Sequence, residues 1–304
     1  MRKPLLNIVK YIVVIAGVLL CSGFTTMPND NLVLVFDSTG TPPEIAKRFR
    51  VIEYIRASGS GQFSADELPN ILNTIPVPKS DVWIVDLRQE AHGFIDGLPI
   101  AWVSDQNAAN AGKTPTQIKS EENKLLQELR KQKTVMVYEL KKQDEGRVAV
   151  GQATPMIPES VESEQHLVTS LGARYMRIYV QDHNKPDDLA VDQFVAFVRN
   201  KVQPSSWLHF HCRGGGGRSS TFLAMYDIIQ NAQTDSFNAI MRRQEKSENS
   251  KLNKLLHADK AWKNDSAQER FEFLREFYAY VQDDTGYLTR SWSAWRKLND
   301  EHDE

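Results

Sequence analysis

Apolar and polar positions change period several times along the chain, and those changes mark out its elements. Residues 82–87, 135–140 and 175–180 are short apolar runs, and 207–211 is apolar and aromatic with alternation, all of strand length. Between and after them, 114–131, 160–171, 189–202 and 219–231 place apolar residues at helical spacing. Thr114, Pro115 and Gln117 supply a cap, a first-turn proline and a side chain that reaches back, so a helix is expected to begin there. Ser64 and Glu67 make the same reciprocal box ahead of a helix over 65–73. Residues 31–36 and 51–55 read as lead-in strands separated by a Gly/Pro turn at 38–43. The alternation of strand and helix predicts an α/β fold with a largely parallel sheet covered on both faces. The tail, 237–280, reads as helical, with Phe271, Leu274, Phe277, Tyr278 and Val281 as its core-facing stripe.

The first 23 residues stand apart. Arg2, Lys3 and Lys10 precede an apolar run over 11–20, and Cys21, Ser22 and Gly23 follow it. This is the pattern of a secretory signal peptide cleaved after Gly23, with a lipoprotein signal acylated at Cys21 as the alternative. The expected destination is outside the cytoplasm, secreted or periplasmic, with no stable membrane span after cleavage. Losing those three cations takes the formal net charge of the 304-residue chain from −2 to −5. Bulk attraction to nucleic acid is thereby excluded, and affinity for a polyanion has to come from a local cluster of cations. Cleavage also leaves Cys212 as the one cysteine of the mature chain, so no internal disulfide forms and the thiol is expected to serve chemistry.

Cys212 opens the stretch Cys212-Arg213-Gly214-Gly215-Gly216-Gly217-Arg218-Ser219, between the strand at 207–211 and the helix that follows. Unpaired N–H groups converge at a helix amino terminus, and four glycines let the backbone wrap an anion without Cβ clashes. The same field favours the thiolate over the thiol and makes Cys212 a nucleophile, while the planar fork of Arg218 suits two phosphate oxygens. Ser219 is placed to hydrogen-bond the sulfur. The bland reading, a buried thiol beside a flexible turn, leaves the spacing of cysteine, arginine and serine unexplained.

Phosphate transfer to a cysteine needs a proton donor for the leaving alcohol, and the same carboxylate can then activate water. Asp182, just past the strand at 175–180, lies one crossover before the loop. Asp187, Asp188 and Asp192 are rivals that read as capping and surface carboxylates. His183 is either a substrate contact or a ring that orients its loop. Arg88 and Glu90 leave the strand at 82–87 on a charged exit that reads as a functional rim in contact with substrate, or else they pair with each other or brace the phosphate loop. Lys254, Lys260, Lys263 and Arg270 make the tail locally basic, by default a solvated face.

The chain resembles the bacterial protein-tyrosine-phosphatase-like inositol polyphosphatases, the cysteine phytases. The resemblance is carried by Ser58-Gly59-Ser60-Gly61-Gln62-Phe63, the run from Val85 to Phe94, Arg174-Tyr175-Met176-Arg177-Ile178, Asp182-His183, Trp207 to Cys212, and Trp292-Ser293-Ala294-Trp295. It implies a phosphatase core with a small β-rich accessory region, to which roughly 31–60 and 90–150 contribute, within a catalytic domain spanning 24–304. It also implies stepwise dephosphorylation of a myo-inositol ring with no metal or other cofactor. By motif position Cys212 is the nucleophile, Arg218 the phosphate clamp and Asp182 the general acid. Arg50, Lys263 and Arg270 become substrate-facing. Asn107 stands where the family carries an aspartate in the substrate rim, and Arg213 where some relatives have an acid, which favours a more anionic substrate, including phosphoinositide headgroups. Two other classes fit the loop alone: a protein tyrosine or dual-specificity phosphatase, and a catalytically dead phosphate-binding module.

Overall fold

The computed structural model describes residues 32–37, 45–142, 147–247, 264–283 and 287–300. The leader with Cys21, and Lys254, Lys260 and Lys263, lie outside the described residues.

At the centre is a strand whose five residues are all buried, β11 (Trp207–His211). A strand buried on both faces needs partners on both edges. It has β4 (Val82–Arg88) on one side and β3 (Ala57–Ser60) on the other, both parallel to it. Next to β4 lies β10 (Arg174–Val180), again parallel, while β2 (Arg50–Ile52) closes the far edge antiparallel to β3. The sheet is therefore mixed at one edge, not parallel throughout. The small residues of β3 suit its position: a Cβ on Gly59 would sit 2.9 Å from Leu223 Cδ1.

A second, six-stranded sheet runs in the order β8-β7-β1-β6-β5-β9, made of β1 (Val33–Phe36), β5 (His92–Ile95), β6 (Leu98–Val103), β7 (Val135–Lys142), β8 (Val148–Met156) and β9 (Val161–Glu162). Its neighbours are antiparallel except β1 and β7. Residues 50–60, expected among the accessory strands, instead join the phosphatase sheet. After β2 the chain turns through a short 3-10 segment, Glu53–Ile55, where a longer strand was expected.

The helices form as their caps dictate. Ser64 and Glu67 exchange backbone bonds ahead of α1 (Glu67–Thr74), and Thr114 with Gln117 completes the box ahead of α2 (Pro115–Lys131). α3 (Glu164–Ser170) is shorter than its apolar pattern, because 161–162 is taken by β9. α4 (Asp188–Lys201), capped by Asp187, and α5 (Gly217–Asn231) pack on one face of the phosphatase sheet with α7 (Asn264–Gln282) and α8 (Trp292–Asp300). α1 and α3 cover the other face. α6 (Phe237–Lys246) packs Ile240 and Met241 into the first of these cores. The buried stripe of α7 is Phe273, Leu274, Phe277, Tyr280 and Val281. Phe271 and Tyr278 are only half-buried, against Phe237. Of the rival carboxylates, Asp187 caps α4, while Asp188 and Asp192 hold Trp292 Nε1 and the Ser293 backbone.

Candidate active site

The loop leaves the carboxyl end of β11 and enters α5 at Gly217, which aims the amino terminus of α5 at Cys212. Three successive loop carbonyls are tied outward. That of Arg213 accepts from Gln62 N–H at 3.2 Å, that of Gly214 from Arg48 Nη1, and that of Gly215 from Arg50 Nη1 at 2.9 Å. In a trans peptide the C=O and the following N–H point in opposite directions. Outward carbonyls therefore turn the N–H groups of Gly214, Gly215 and Gly216 inward. The Gly215 N–H reaches Cys212 Sγ at 3.3 Å, and Ser219 Oγ donates to the same sulfur at 3.2 Å. Gly215 is at φ +68, and a Cβ there would lie 2.4 Å from the Gly61 nitrogen, so the turn requires glycine.

Arg218 is buried and held on several sides. Glu90 accepts from it with both oxygens, at 2.7 and 3.0 Å, and the carbonyls of Leu87 and Val180 accept from Nη1. Nη2 lies 3.2 Å from Asp182 Oδ1, while Nε is buried without a partner among the described residues and can donate to an anion. Burial alone would lower the pKa of this guanidinium, but Asp182 and Glu90 raise it well above its ordinary value. Glu90 is likewise held as a carboxylate: burial would raise its pKa, and Arg218 and Arg88 bring it well below normal. Both sequence readings of Arg88 and Glu90 hold together, since Arg88 Nε meets Glu90 Oε1 at 3.0 Å while Glu90 braces Arg218.

Behind these residues lies a buried ionic cluster. Arg177 donates to the carbonyls of Arg88 and Glu90 and is gripped by Glu122. Asp86 accepts from Tyr175 Oη at 2.7 Å, and His211 Nε2 lies 2.6 Å from Glu164 Oε1. Asp86, Glu164 and His211 bring ligand atoms within 4.8 Å of one another, a spacing a metal ion can use. Here each is compensated by protein charges, and the cluster serves as a brace for the strand exits that carry Glu90 and Cys212.

Asp182 sits at the mouth of the loop, with Arg218 on one side. Asn107 Nδ2 donates to its Oδ2 at 3.4 Å. Burial would raise the pKa of Asp182, but Arg218 and His183 bring it below its ordinary value. His183 is left-handed, at φ 68, with Nε2 3.7 Å from Asp182 Oδ2, and its carbonyl accepts from Arg270 Nη1.

The cations that the resemblance places toward substrate are distributed differently. Arg50 is 4% exposed and lies behind the loop, bonded to the Gly215 carbonyl and to Ser220 Oγ at 3.0 Å. Burial lowers its pKa to about 10. It braces the loop and does not face the open side, because β2 carries it inward. Arg48, two residues earlier and overlooked in the sequence, is a half-buried cation that donates to the Gly214 carbonyl. Arg213 points to Asp37, Nε to Oδ1 at 2.7 Å, and remains partly exposed. Arg270 is near enough that a Cβ on Gly217 would lie 3.9 Å from its Cζ. Asp37 was not legible as a site residue and Asn107 only as a rim position of the resemblance, because their contacts with Arg213 and Asp182 join the two sheets.

A family model described as PTPlike_phytase, inositol hexakisphosphate, matches residues 85–230. Among curated proteins, Effector protein hopD2 of Pseudomonas syringae pv. tomato is 30% identical over 213 residues, 70% of this chain and 45% of that protein. AvrBs1.1 of Xanthomonas campestris is 35% identical over 93 residues, 30% of this chain and 89% of its own length. Among solved structures, the PTP-like myo-inositol phosphatase of Mitsuokella multacida, in complex with myo-inositol-(1,3,4,5)-tetrakisphosphate, superposes with a TM-score of 0.80 at 29% identity. That match covers 90% of this chain and 49% of that one. A PTP-like phytase from Bdellovibrio bacteriovorus gives a TM-score of 0.72 at 32% identity over 90% of this chain and 98% of the other. The chain thus spans about half the length of the first two of these larger relatives, hopD2 and the Mitsuokella protein.

Proposed function

Because the chain belongs to the PTP-like phytase family, we propose that it is a metal-independent cysteine phosphatase that hydrolyses phosphomonoesters of myo-inositol polyphosphates. The observation that carries this reading is the convergence on Cys212 Sγ of inward loop N–H groups, the amino terminus of α5 and Ser219 Oγ, with Arg218 and Asp182 beside it.

The thiolate of Cys212 attacks phosphorus in line with the ester oxygen. The P–O bond breaks as the S–P bond forms, and Asp182 gives its proton to the leaving alkoxide. Loop N–H groups and Arg218 Nε take the charge that accumulates on the phosphoryl oxygens. In the second step Asp182, now a carboxylate, takes a proton from water as that water attacks phosphorus. The S–P bond breaks, and the Ser219 hydroxyl steadies the departing thiolate. At rest Asp182 is ionised by its contact with Arg218. A phosphate dianion that engages Arg218 removes that compensation and adds negative charge nearby, which raises the acid's pKa toward its working form. Turnover therefore falls as pH rises through the pKa of Asp182 in the complex, and the optimum is acidic. Arg48, Arg213 and Arg270 at the mouth support a substrate with more than one phosphate. The leader-like pattern at 1–23 supports export to the periplasm or medium. Among the described residues no helix is long and apolar enough to cross a membrane.

Time-resolved chromatography of the products from inositol hexakisphosphate, run beside a phosphotyrosine peptide, tests the substrate class. Lower inositol phosphates are expected to accumulate in sequence, and equal or better kcat/KM on the peptide would overturn the reading. Cys212→Ser is expected to abolish phosphate release while keeping substrate binding. Asp182→Asn is expected to lower kcat about 10²-fold or more with little change in binding.

A further inference from the structure

The connection between β6 and α2, residues 104–113, belongs to the accessory sheet but is fastened to the catalytic side at more than one point. Asp105 Oδ1 accepts from Val148 N–H at 2.7 Å, which ties the turn to β8. Asn110 Nδ2 donates to the Gln89 carbonyl at 2.9 Å, next to the glutamate that grips Arg218. Lys113 holds Asn110 Oδ1 at 3.2 Å from the other side. Between these anchors the backbone passes through two left-handed residues, Gln106 at φ 52 and Asn107 at φ 60. The turn delivers the Asn107 side chain, 8% exposed, to Asp182, with Nδ2 3.4 Å from Oδ2. Asn107 Oδ1 is also buried and has no hydrogen-bond partner among the described residues.

We infer that Asn107 is a positioning residue for the general acid, supporting the Asp182 carboxyl group in both of its protonation states. This inference rests on the reading of Asp182 as that acid. An amide carries a donor and an acceptor on one planar group. Its NH2 serves the carboxylate of the resting enzyme and of the hydrolysis step. Rotation of the amide offers the spare Oδ1 to the O–H of the protonated acid that waits for the alkoxide. A carboxylate at 107 would serve the protonated form alone and would repel the ionised one. The charged groups around Asp182 are Arg218 from α5, Glu90 from the β4–β5 connection, Arg213 from the phosphate loop, Arg270 from α7 and His183 from its own loop. Asn107 is the neutral member of that shell, so its identity sets how readily Asp182 gives up its proton without adding a charge of its own.

Phenyl phosphate separates this effect from recognition of an inositol ring, because its leaving group needs a proton and carries no further phosphate. kcat and KM are measured against pH for the wild type, Asn107→Asp, Asn107→Ala and Asp182→Asn. Asn107→Asp keeps the size of the side chain and tolerates the left-handed backbone. It is expected to move the alkaline limb of the kcat profile up by about one pH unit, since two carboxylates then share the site. Asn107→Ala is expected to lower kcat about 3- to 10-fold with KM within about twofold, the behaviour of a lost transition-state contact. A limb that stays in place in Asn107→Asp, while Asp182→Asn abolishes it, overturns the inference and leaves Asp182 as the acid. A change in KM alone makes Asn107 a substrate contact and also overturns it. An Asp182→Asn enzyme with wild-type kcat and limb would remove the premise itself.

Discussion

At Gly215 a single missing Cβ decides whether the phosphate loop exists. Its φ of +68 costs an L-residue about 1–2 kcal/mol, and the added methyl would lie 2.4 Å from the Gly61 nitrogen and 2.5 Å from the Ser60 carbonyl carbon, neither of which can yield. Gly215→Ala is therefore expected to destabilise the fold by about 2 kcal/mol or more and to remove phosphatase activity. Denaturant unfolding and turnover of any phosphomonoester check this, and an active enzyme with an unchanged midpoint would contradict it. Arg218 shows the same economy in charge. Its ion pair with Glu90 is fully buried, and such pairs add little net stability but leave a costly orphan when one partner is lost. The value of the pair lies in aiming Nε and Nη2, not in holding the protein together.

At the scale of elements, α7 and α8 act as one clamp behind the acid. Trp292 is 1% exposed and packs edge-on against Phe273 and Tyr280, with its Nε1 donating to Asp188 at the start of α4. Arg270 on α7 in turn holds the His183 carbonyl and so the Asp182 loop. Trp292→Ala removes a fully buried indole from this cluster and is expected to cost about 3–5 kcal/mol. The activity that survives should show a reduced kcat with KM less affected, because the loop loses its backing before the phosphate cradle does. Chemical unfolding monitored by near-UV circular dichroism, together with steady-state kinetics, checks both halves. The accessory sheet makes the matching contribution from the other side through residues 104–113.

Across the whole molecule, the two sheets meet through a buried network of opposite charges, and that network gives stability a pH window. His92, between Asp86 and Glu164 at 3.3 Å from each, is pushed down by burial and Arg88, but Asp86 and the surrounding carboxylates bring its pKa up to about 10. A raised imidazole stabilises the fold fully below its ordinary value of 6.5, and that contribution is lost as pH climbs through about 10. Glu164 is lowered to about 2 because His211 and His92 outweigh burial, so its contribution is complete above 4.5 and lost as pH falls toward about 2. Both terms are whole only between about 4.5 and 6.5. Unfolding midpoints at pH of about 3, 5.5 and 9 are expected to be highest in the middle. A flat profile would mean that the network is not coupled to folding.

Read as sequence, the chain shows what local rules govern. The caps at Ser64 and Thr114, the strands read at 82–87, 175–180 and 207–211, and the cysteine–glycine–arginine loop at a helix start all follow from periodicity, capping and glycine freedom within short windows. Asp182 is legible on the expectation that its strand neighbours that of Cys212; β4 in fact lies between β10 and β11, and Asp182 meets the phosphate loop at Arg218. Partners in space were beyond such windows. Residues 92–95, 98–103 and 148–156 are strands whose apolar content alone did not separate them from loop, and they became strands by pairing, while 161–162 left an expected helix for β9. Arg48 and Arg50 are two residues apart and chemically alike, yet one lies at the mouth of the loop and the other behind it. Arg50 opens β2 and is carried inward with it, whereas Arg48 lies before the strand in a left-handed turn at φ 57. Asp37 and Asn107 acquired their roles only when the second sheet met the first, and Glu90 when β4 carried it beside Arg218. The reacting groups of this protein are a local property of its sequence, and their orientation is a property of the tertiary structure, because long-range burial and charge pairing fix it.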